Sequence, residues 1–303
     1  MADPHLMDES DIVVIGGGTM GTGIAHGFVS SGYSTLLVDI SPTALDKATA
    51  SIANILETGV RLGKVTPDGK IHALARLATA NQLPIRLTAG LLVETATEAL
   101  PLKLELMRAA DAALPADATI ATNTSALSVT EIASALTRPE RLIGMHFFNP
   151  VHKMKLVEIV QGLMTSTETV EKARAYVDRL GKTAILVSDT PGLTTSRMSA
   201  LLGNEAMTML MEGVASAEDI DTALRLGFNH PMGPLELGDL TGWDTRLKVL
   251  EYLHQTLGEK YRPCPLIRKM VKAGRTGCKV GAGVYRYEDS KRVPNSAIKG
   301  GVL

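Results

Sequence analysis

Cysteine is nearly absent: Cys264 and Cys278 are the only two in 303 residues. Neither belongs to a CxxC pair or a Cys/His cluster, so no disulfide framework is available, and two reduced thiols fit a reducing compartment. Excess charge is lacking as well, because 31 Lys and Arg meet 32 Asp and Glu for a formal charge of −1. That balance supplies no general attraction for nucleic acid or an anionic membrane. No apolar run approaches the roughly 20 residues that cross a bilayer. Internal repeats and low-complexity blocks are missing, and no HExxH or carboxylate–histidine spacing suggests a metal. The opening Met1–Ser10 has neither a basic region nor an apolar stretch. It is expected to be neither a secretory signal nor a transit peptide, which points to a cytoplasmic protein.

What is present is ordinary globular composition, 45% hydrophobic and 21% charged, in a chain long enough for two domains. Up to residue 188, short apolar runs alternate with helical stretches. The runs are Ile12–Ile15, Thr35–Val38, Ile85–Thr88, Leu91–Glu94, Thr119–Thr122, Leu142–Phe147, Leu156–Val160 and Thr183–Val187. Continuous apolar runs read as buried parallel strands, and their alternation with helices predicts a doubly wound α/β sheet. Ser41-Pro42 opens one helix, Thr165-Ser166-Thr167-Glu168 fits a capping box before Val170–Leu180, and residues 64–69 break a long helical stretch between Asp46 and Ala78. Beyond Asp189-Thr190-Pro191-Gly192 the spacing of Met198, Leu201, Leu202, Ala206, Met209 and Leu210 is helical, with Ser216 as a further cap and no strand from Thr194 to about Lys272. The expected domains are 1–188 and a smaller all-helical 189–303, with a loose tail from Glu288 onward.

The run Ile12–Ile15 leads into Gly16-Gly17-Gly18-Thr19-Met20-Gly21 and then a helical stretch. A GxGxxG that follows a strand and opens a helix is a dinucleotide fingerprint. Gly16 permits the tight turn, Gly18 lets the backbone approach a pyrophosphate, and Gly21 allows close helix–strand packing. The helix N-terminus, at Thr19 and Met20, offers free N–H groups to phosphates. Asp39 ends the second run, 18 residues after Gly21. A carboxylate there accepts from the ribose hydroxyls and repels a 2′-phosphate, favouring NAD over NADP. A ligand-free glycine turn and an FAD site share the same fingerprint.

Glu158 interrupts the apolar run Leu156–Val160, and a buried carboxylate needs a partner. His146, 12 residues earlier across a turn centred on Pro150, is the candidate. Such a pair is either a structural contact or a catalytic one, in which the carboxylate fixes the imidazole tautomer and raises the basicity of its other nitrogen.

Asn123-Thr124-Ser125, His146-Phe147-Phe148-Asn149-Pro150, Leu156-Val157-Glu158, Asp189-Thr190-Pro191-Gly192, His230-Pro231-Met232-Gly233-Pro234, Asp239-Leu240-Thr241-Gly242 and Gly277–Tyr285 follow the glycine motif in order. With these segments the chain resembles the L-3-hydroxyacyl-CoA dehydrogenase family, in its single-function 3-hydroxybutyryl-CoA type, from about Asp11 to Tyr287. The resemblance implies a Rossmann-type domain followed by a helical domain that binds substrate and forms a homodimer. It implies NAD-dependent interconversion of short (S)-3-hydroxyacyl-CoA and 3-oxoacyl-CoA. His146 would be the general base, Glu158 its orienter, Ser125 a hydrogen-bond partner of the reacting oxygen, and Asn149 a further holder of the site. Glu98, Lys103 and Asn123 would lie with Gly16, Gly18, Thr19, Met20, Gly21 and Asp39 around the cofactor.

Two departures stand out. Ser196 occupies the place where the family commonly carries Asn, offering a hydroxyl instead of an amide. After the second run, only Arg61 and Lys64 stand where relatives often place several lysines for the CoA phosphates. These departures keep open the same chemistry on an acyl-carrier-protein thioester or a free hydroxy acid. A non-catalytic NAD-binding protein is the reading from another class, and the presence of Ser125, His146, Asn149 and Glu158 argues against it.

Overall fold

The computed structural model describes residues 7–299, so the reading of Met1–Ser10 lies largely outside the described residues. The chain divides into two compact units, one ending at Thr190 and the other beginning at Pro191. Asp189 belongs to the first unit because its carboxylate Oδ2 accepts from Ser128 Oγ at 2.7 Å and from Thr130 N at 2.8 Å.

The first unit is built on eight strands: β1 (Ile12–Ile15), β2 (Thr35–Val38), β3 (Leu77–Ala80), β4 (Leu91–Glu94), β5 (Thr119–Thr122), β6 (Leu142–Phe147), β7 (Leu156–Gln161) and β8 (Thr183–Ser188). Their order is β8-β7-β6-β5-β4-β1-β2-β3. Strands β1 to β6 run parallel; β7 reverses against β6, and β8 follows β7 in parallel. The strand order turns round between β1 and β4, which opens a crevice at the carboxyl ends of those two strands. Every residue of β1, β2, β4, β5 and β6 is buried, as continuous apolar runs require.

The flanking helices are α1 (Thr19–Ser30), α2 (Pro42–Arg61), α3 (Pro67–Ala75), α4 (Leu100–Ala113), α5 (Val129–Ala133) and α6 (Thr167–Arg179). Ser41 caps α2 by accepting from Ala44 N, and Thr66 caps α3 by accepting from Gly69 N. Phe28 and Val29 of α1, Ile52 and Leu56 of α2 and Val177 of α6 fill the core against the strands.

Four sequence expectations change. Leu77 and Ala78, read as the end of a helical stretch, belong to the edge strand β3, half-exposed and paired only with β2. The run Ile85–Thr88 shrinks to the strand Arg86–Leu87, which pairs with Met7–Asp8 outside the main sheet. Ser166 caps α6 by accepting from Thr169 N, while Glu168 pairs with Lys172 instead of completing a capping box. Residues from Glu288 are not loose as far as residue 299. Tyr287–Glu288 and Lys291–Arg292 form a short antiparallel ladder, and Ile298 N donates to Val284 O at 2.8 Å.

The second unit holds α7 (Thr195–Glu212), α8 (Ala217–Gly227), α9 (Pro234–Thr241), α10 (Trp243–Leu257) and α11 (Pro265–Lys272) around Met207, Leu235, Trp243, Leu250 and Tyr285. Two buried carboxylates pin its loops. Asp239 accepts from Trp243 Nε1, Val284 N, Tyr285 N and the Tyr287 hydroxyl, and Asp221 accepts from Leu235 N, Glu236 N and the Tyr285 hydroxyl. Burial raises both carboxyl pKa values, opposed by these donors.

Candidate active site

The glycine turn sits at the carboxyl end of β1, where the strand order reverses. Gly16 has φ +105°, and a Cβ there would come within 2.7 Å of Thr95 Oγ1. Thr95, just past β4, donates that hydroxyl to Ile15 O at 2.8 Å and so braces the turn. A Cβ on Gly21 would lie 1.8 Å from Gly16 O, so this helix–turn packing excludes any side chain. Gly18 is different: a Cβ there meets nothing within 4 Å, leaving the backbone open on its outer side. Gly18 is also the N-cap of α1 and makes no side-chain cap bond, and Gly18 and Thr19 are exposed while Met20 is half-buried. This open, anion-favouring helix start fits a pyrophosphate.

Asp39, at the end of β2, leans back on the turn. Its Oδ2 accepts from Gly17 N at 2.7 Å and its Oδ1 from Ser41 N at 2.8 Å. A carboxylate has about four acceptor positions, so the two used here fix its orientation and leave capacity for ribose hydroxyls. The residues present therefore fit a dinucleotide.

Farther along the same sheet, β6 and β7 place His146 and Glu158 directly opposite one another in antiparallel register. The Nδ1 and Oε2 atoms are 2.8 Å apart. Glu158 is fully buried and His146 is 8% exposed, with Phe148 stacked at a tilt 4.7 Å from the imidazole. A carboxylate only accepts, so Nδ1 carries the shared proton and Nε2 presents a lone pair. The chain thus spends two adjacent strands on aiming one basic nitrogen.

A second cluster joins the ends of β4 and β5. The Glu98 carboxylate accepts from the Thr124 hydroxyl at 2.8 Å, from Ser125 N at 2.8 Å and from Ser125 Oγ at 3.3 Å. Lys103 is 1% exposed, its ammonium bonded to Glu94 Oε1 at 2.8 Å and lying 3.7 Å from Glu98. Asn123 accepts from Phe147 N at 2.9 Å, tying the end of β5 to the residue after His146. Glu94 is a component that sequence reasoning missed, since it looks like the last letter of an apolar run.

The remaining expected residues lie elsewhere. Asn149 is exposed and lines a cavity of about 450 Å³ with Gly17, Gly18 and Thr19. Arg61 turns onto its own helix, donating to Thr58 Oγ1 at 3.1 Å. Lys64 lines an adjoining cavity of about 660 Å³ together with His26, His152, Lys153 and Lys155. The last three residues come from the segment after Pro150 and were not singled out in the sequence; the only signal was His152-Lys153-Met154-Lys155 itself. Ser196 is half-buried in the first turn of α7, in the second unit. Among the described residues no group of three or more His, Cys, Asp or Glu could hold a metal ion, and no helix is long and apolar enough to cross a membrane.

Comparison with known proteins agrees across both units. The family model described as 3-hydroxyacyl-CoA dehydrogenase, NAD binding domain, matches residues 11–190, and the corresponding C-terminal domain matches 192–287. A probable 3-hydroxybutyryl-CoA dehydrogenase of Bacillus subtilis (strain 168) is 42% identical over 284 residues, 93% of this chain and 99% of its own. The 3-hydroxybutyryl-CoA dehydrogenase of Bradyrhizobium diazoefficiens is 42% identical over 93% of this chain and 96% of its own. Among solved structures, (S)-3-hydroxybutyryl-CoA dehydrogenase from Ralstonia eutropha superposes with a TM-score of 0.87 at 41% identity, covering 92% of this chain and 99% of that one.

Proposed function

The chain belongs to the 3-hydroxyacyl-CoA dehydrogenase family, and from that premise we propose that it is an NAD-dependent oxidoreductase interconverting short-chain (S)-3-hydroxyacyl-CoA, such as 3-hydroxybutyryl-CoA, with 3-oxoacyl-CoA. The observation that carries this reading is the His146–Glu158 pair, held in strand register on the sheet that also carries the glycine turn.

When bound, NAD supplies the hydride acceptor and NADH the donor. His146 Nε2 removes the proton of the 3-hydroxyl while the C3 hydrogen leaves with its electron pair; in reduction it returns the proton to the 3-oxo oxygen. Glu158 holds the imidazole in the tautomer that can do this and stabilises the imidazolium that results. Positioned proton transfer of this kind contributes about 10²–10⁴-fold. Ser125 hydrogen-bonds the reacting oxygen, with Glu98 holding its loop, and Asn149 helps hold the site. Gly16, Gly18, Thr19, Met20 and Gly21 hold the pyrophosphate, Asp39 the adenosine ribose, and Glu98, Lys103 and Asn123 the nicotinamide end.

The first unit is the NAD-binding domain. The second binds substrate, with Ser196 contributing, and mediates a homodimer. Arg61 and Lys64 serve the CoA phosphates, and the cations grouped around Lys64 support that assignment better than Arg61 does. The protein works in the cytoplasm. Oxidation of NADH, followed by absorbance with acetoacetyl-CoA, free acetoacetate and a pantetheine-truncated thioester, tests the reading. Turnover is expected to be fastest with acetoacetyl-CoA and to need NADH rather than NADPH. No turnover with acetoacetyl-CoA overturns it, and equal kcat/KM on all three substrates removes the CoA handle.

A further inference from the structure

In the first unit the mechanism leaves one fully buried carboxylate unused. Glu94 closes β4, and no part of it is exposed. Its Oε1 accepts from Ala96 N at 2.6 Å and from Lys103 Nζ at 2.8 Å; its Oε2 accepts from Lys103 Nζ at 3.0 Å and from the Thr122 hydroxyl at 2.8 Å. Its backbone carbonyl accepts from Asn123 N at 2.8 Å. Glu94 therefore binds the end of its own strand, the end of β5 and the first turn of α4.

Two carboxylates compete for the single ammonium of Lys103. Glu94 holds it through both oxygens, and Glu98 stands 3.7 Å away, beyond hydrogen-bond reach. Lys103 spends a further donor on Ala96 O at 3.2 Å. Glu98 still feels the charge, but its oxygens are left to Thr124 and to the N–H and hydroxyl of Ser125. Were Glu94 neutral, the buried ammonium would have one carboxylate left to pair with. A shift of under an ångström would bring it onto Glu98 and draw that carboxylate off Ser125; with no ammonium at all, Glu98 would lose the charge that holds it beside Ser125 at the present distance.

We propose that Glu94 is a positioning residue for the dehydrogenase reaction: it anchors Lys103 so that the ammonium fixes Glu98, and Glu98 in turn fixes Ser125 at the reacting oxygen. This rests on the reading of the protein as a 3-hydroxyacyl-CoA dehydrogenase. Glu94 touches neither substrate nor cofactor in this role; it acts through two other side chains.

The test is a double-mutant cycle of Glu94→Gln with Ser125→Ala, measured as kcat and KM for acetoacetyl-CoA with NADH, beside thermal unfolding. Glu94→Gln is expected to lower kcat about 10- to 100-fold, the scale of a displaced positioning contact, with a smaller change in KM. In that background Ser125→Ala is expected to cost under about threefold more, because the hydroxyl is already displaced, whereas independent effects would multiply. Glu94→Gln with Lys103→Met, which leaves no unpaired buried charge, is the second variant should the first not fold. It is expected to unfold near the wild-type temperature while kcat stays low and the Ser125→Ala effect stays small. Recovery of kcat together with Tm in that variant, or an undiminished Ser125→Ala effect, overturns the proposal and marks the pair as structural. If the wild type itself does not reduce acetoacetyl-CoA, the dehydrogenase reading falls and this proposal with it.

Discussion

Replacing Glu158 with Gln keeps the size and one acceptor oxygen of the side chain opposite His146 but removes its charge. The pair is 2.8 Å apart and Glu158 is fully buried, so solvent does little to screen the change. In the resting enzyme the difference between a charge-assisted and a neutral hydrogen bond is about 1–2 kcal/mol. In the transition state the imidazole gains a proton and the lost partner is a full carboxylate. With roughly 4 Å between charge centres and an effective dielectric of about 20, that attraction is about 4 kcal/mol. The barrier is therefore expected to rise by about 2–4 kcal/mol, a loss of roughly 30- to 1000-fold in kcat. Steady-state oxidation of NADH with acetoacetyl-CoA reads the rate, and quenching of NADH fluorescence reads cofactor binding, which should be nearly unchanged. A kcat within about threefold of wild type, less than 1 kcal/mol of barrier, would refute the assignment of Glu158 as the partner that stabilises imidazolium.

Asp39→Ala should relax the discrimination against NADPH by about tenfold or more, since a carboxylate beside the ribose repels a 2′-phosphate; an unchanged NADH-to-NADPH ratio of kcat/KM would remove Asp39 from that role. His26, partly buried beside His152 and Lys182, has its pKa lowered to about 4, chiefly by burial and then by electrostatic repulsion from those two side chains. The unfolded chain therefore binds a proton near pH 6.5 that the folded one refuses until about pH 4. This puts the stability contribution in place above that window, and it falls away as pH drops through it, by at most about 3 kcal/mol. His26→Gln should flatten urea midpoints across that range, and an unaltered slope would show that another group governs it. In the second unit, Asp239→Ala strands Trp243 Nε1, two backbone N–H groups and the Tyr287 hydroxyl. A destabilisation of about 3–5 kcal/mol is expected from chemical denaturation, and a loss under about 1 kcal/mol would mean that those donors find other partners.

Strands that are buried on both faces announce themselves in the sequence. Ile12–Ile15 and Leu91–Glu94 could be little else, because an uninterrupted apolar run is what a covered parallel strand demands. Leu77–Ala80 was hidden by its place at the sheet edge, where Ala and Thr face solvent and continue the helical pattern before them. The short ladder at Tyr287–Glu288 and Lys291–Arg292 has no apolar run at all; it depends on pairing and on Val293 N donating to Arg286 O. At the site, His146 and Glu158 were legible because a lone carboxylate in an apolar strand requires a partner. Glu94 obeys the same rule, yet its partner Lys103 lies on the following helix, where sequence spacing gives no hint of contact. The grouping of Lys64 with Lys153 and Lys155 is likewise a product of folding, since the two segments are far apart along the chain.

The role of His146 is tested most directly by a crystal structure with NAD and an acetoacetyl-CoA analogue bound together. His146 Nε2 is expected within hydrogen-bond reach of the 3-oxo oxygen, about 2.6–3.2 Å, with the nicotinamide C4 against C3 of the same carbon chain. A nicotinamide ring lying away from His146, or a thioester whose C3 oxygen meets some other base, would contradict it.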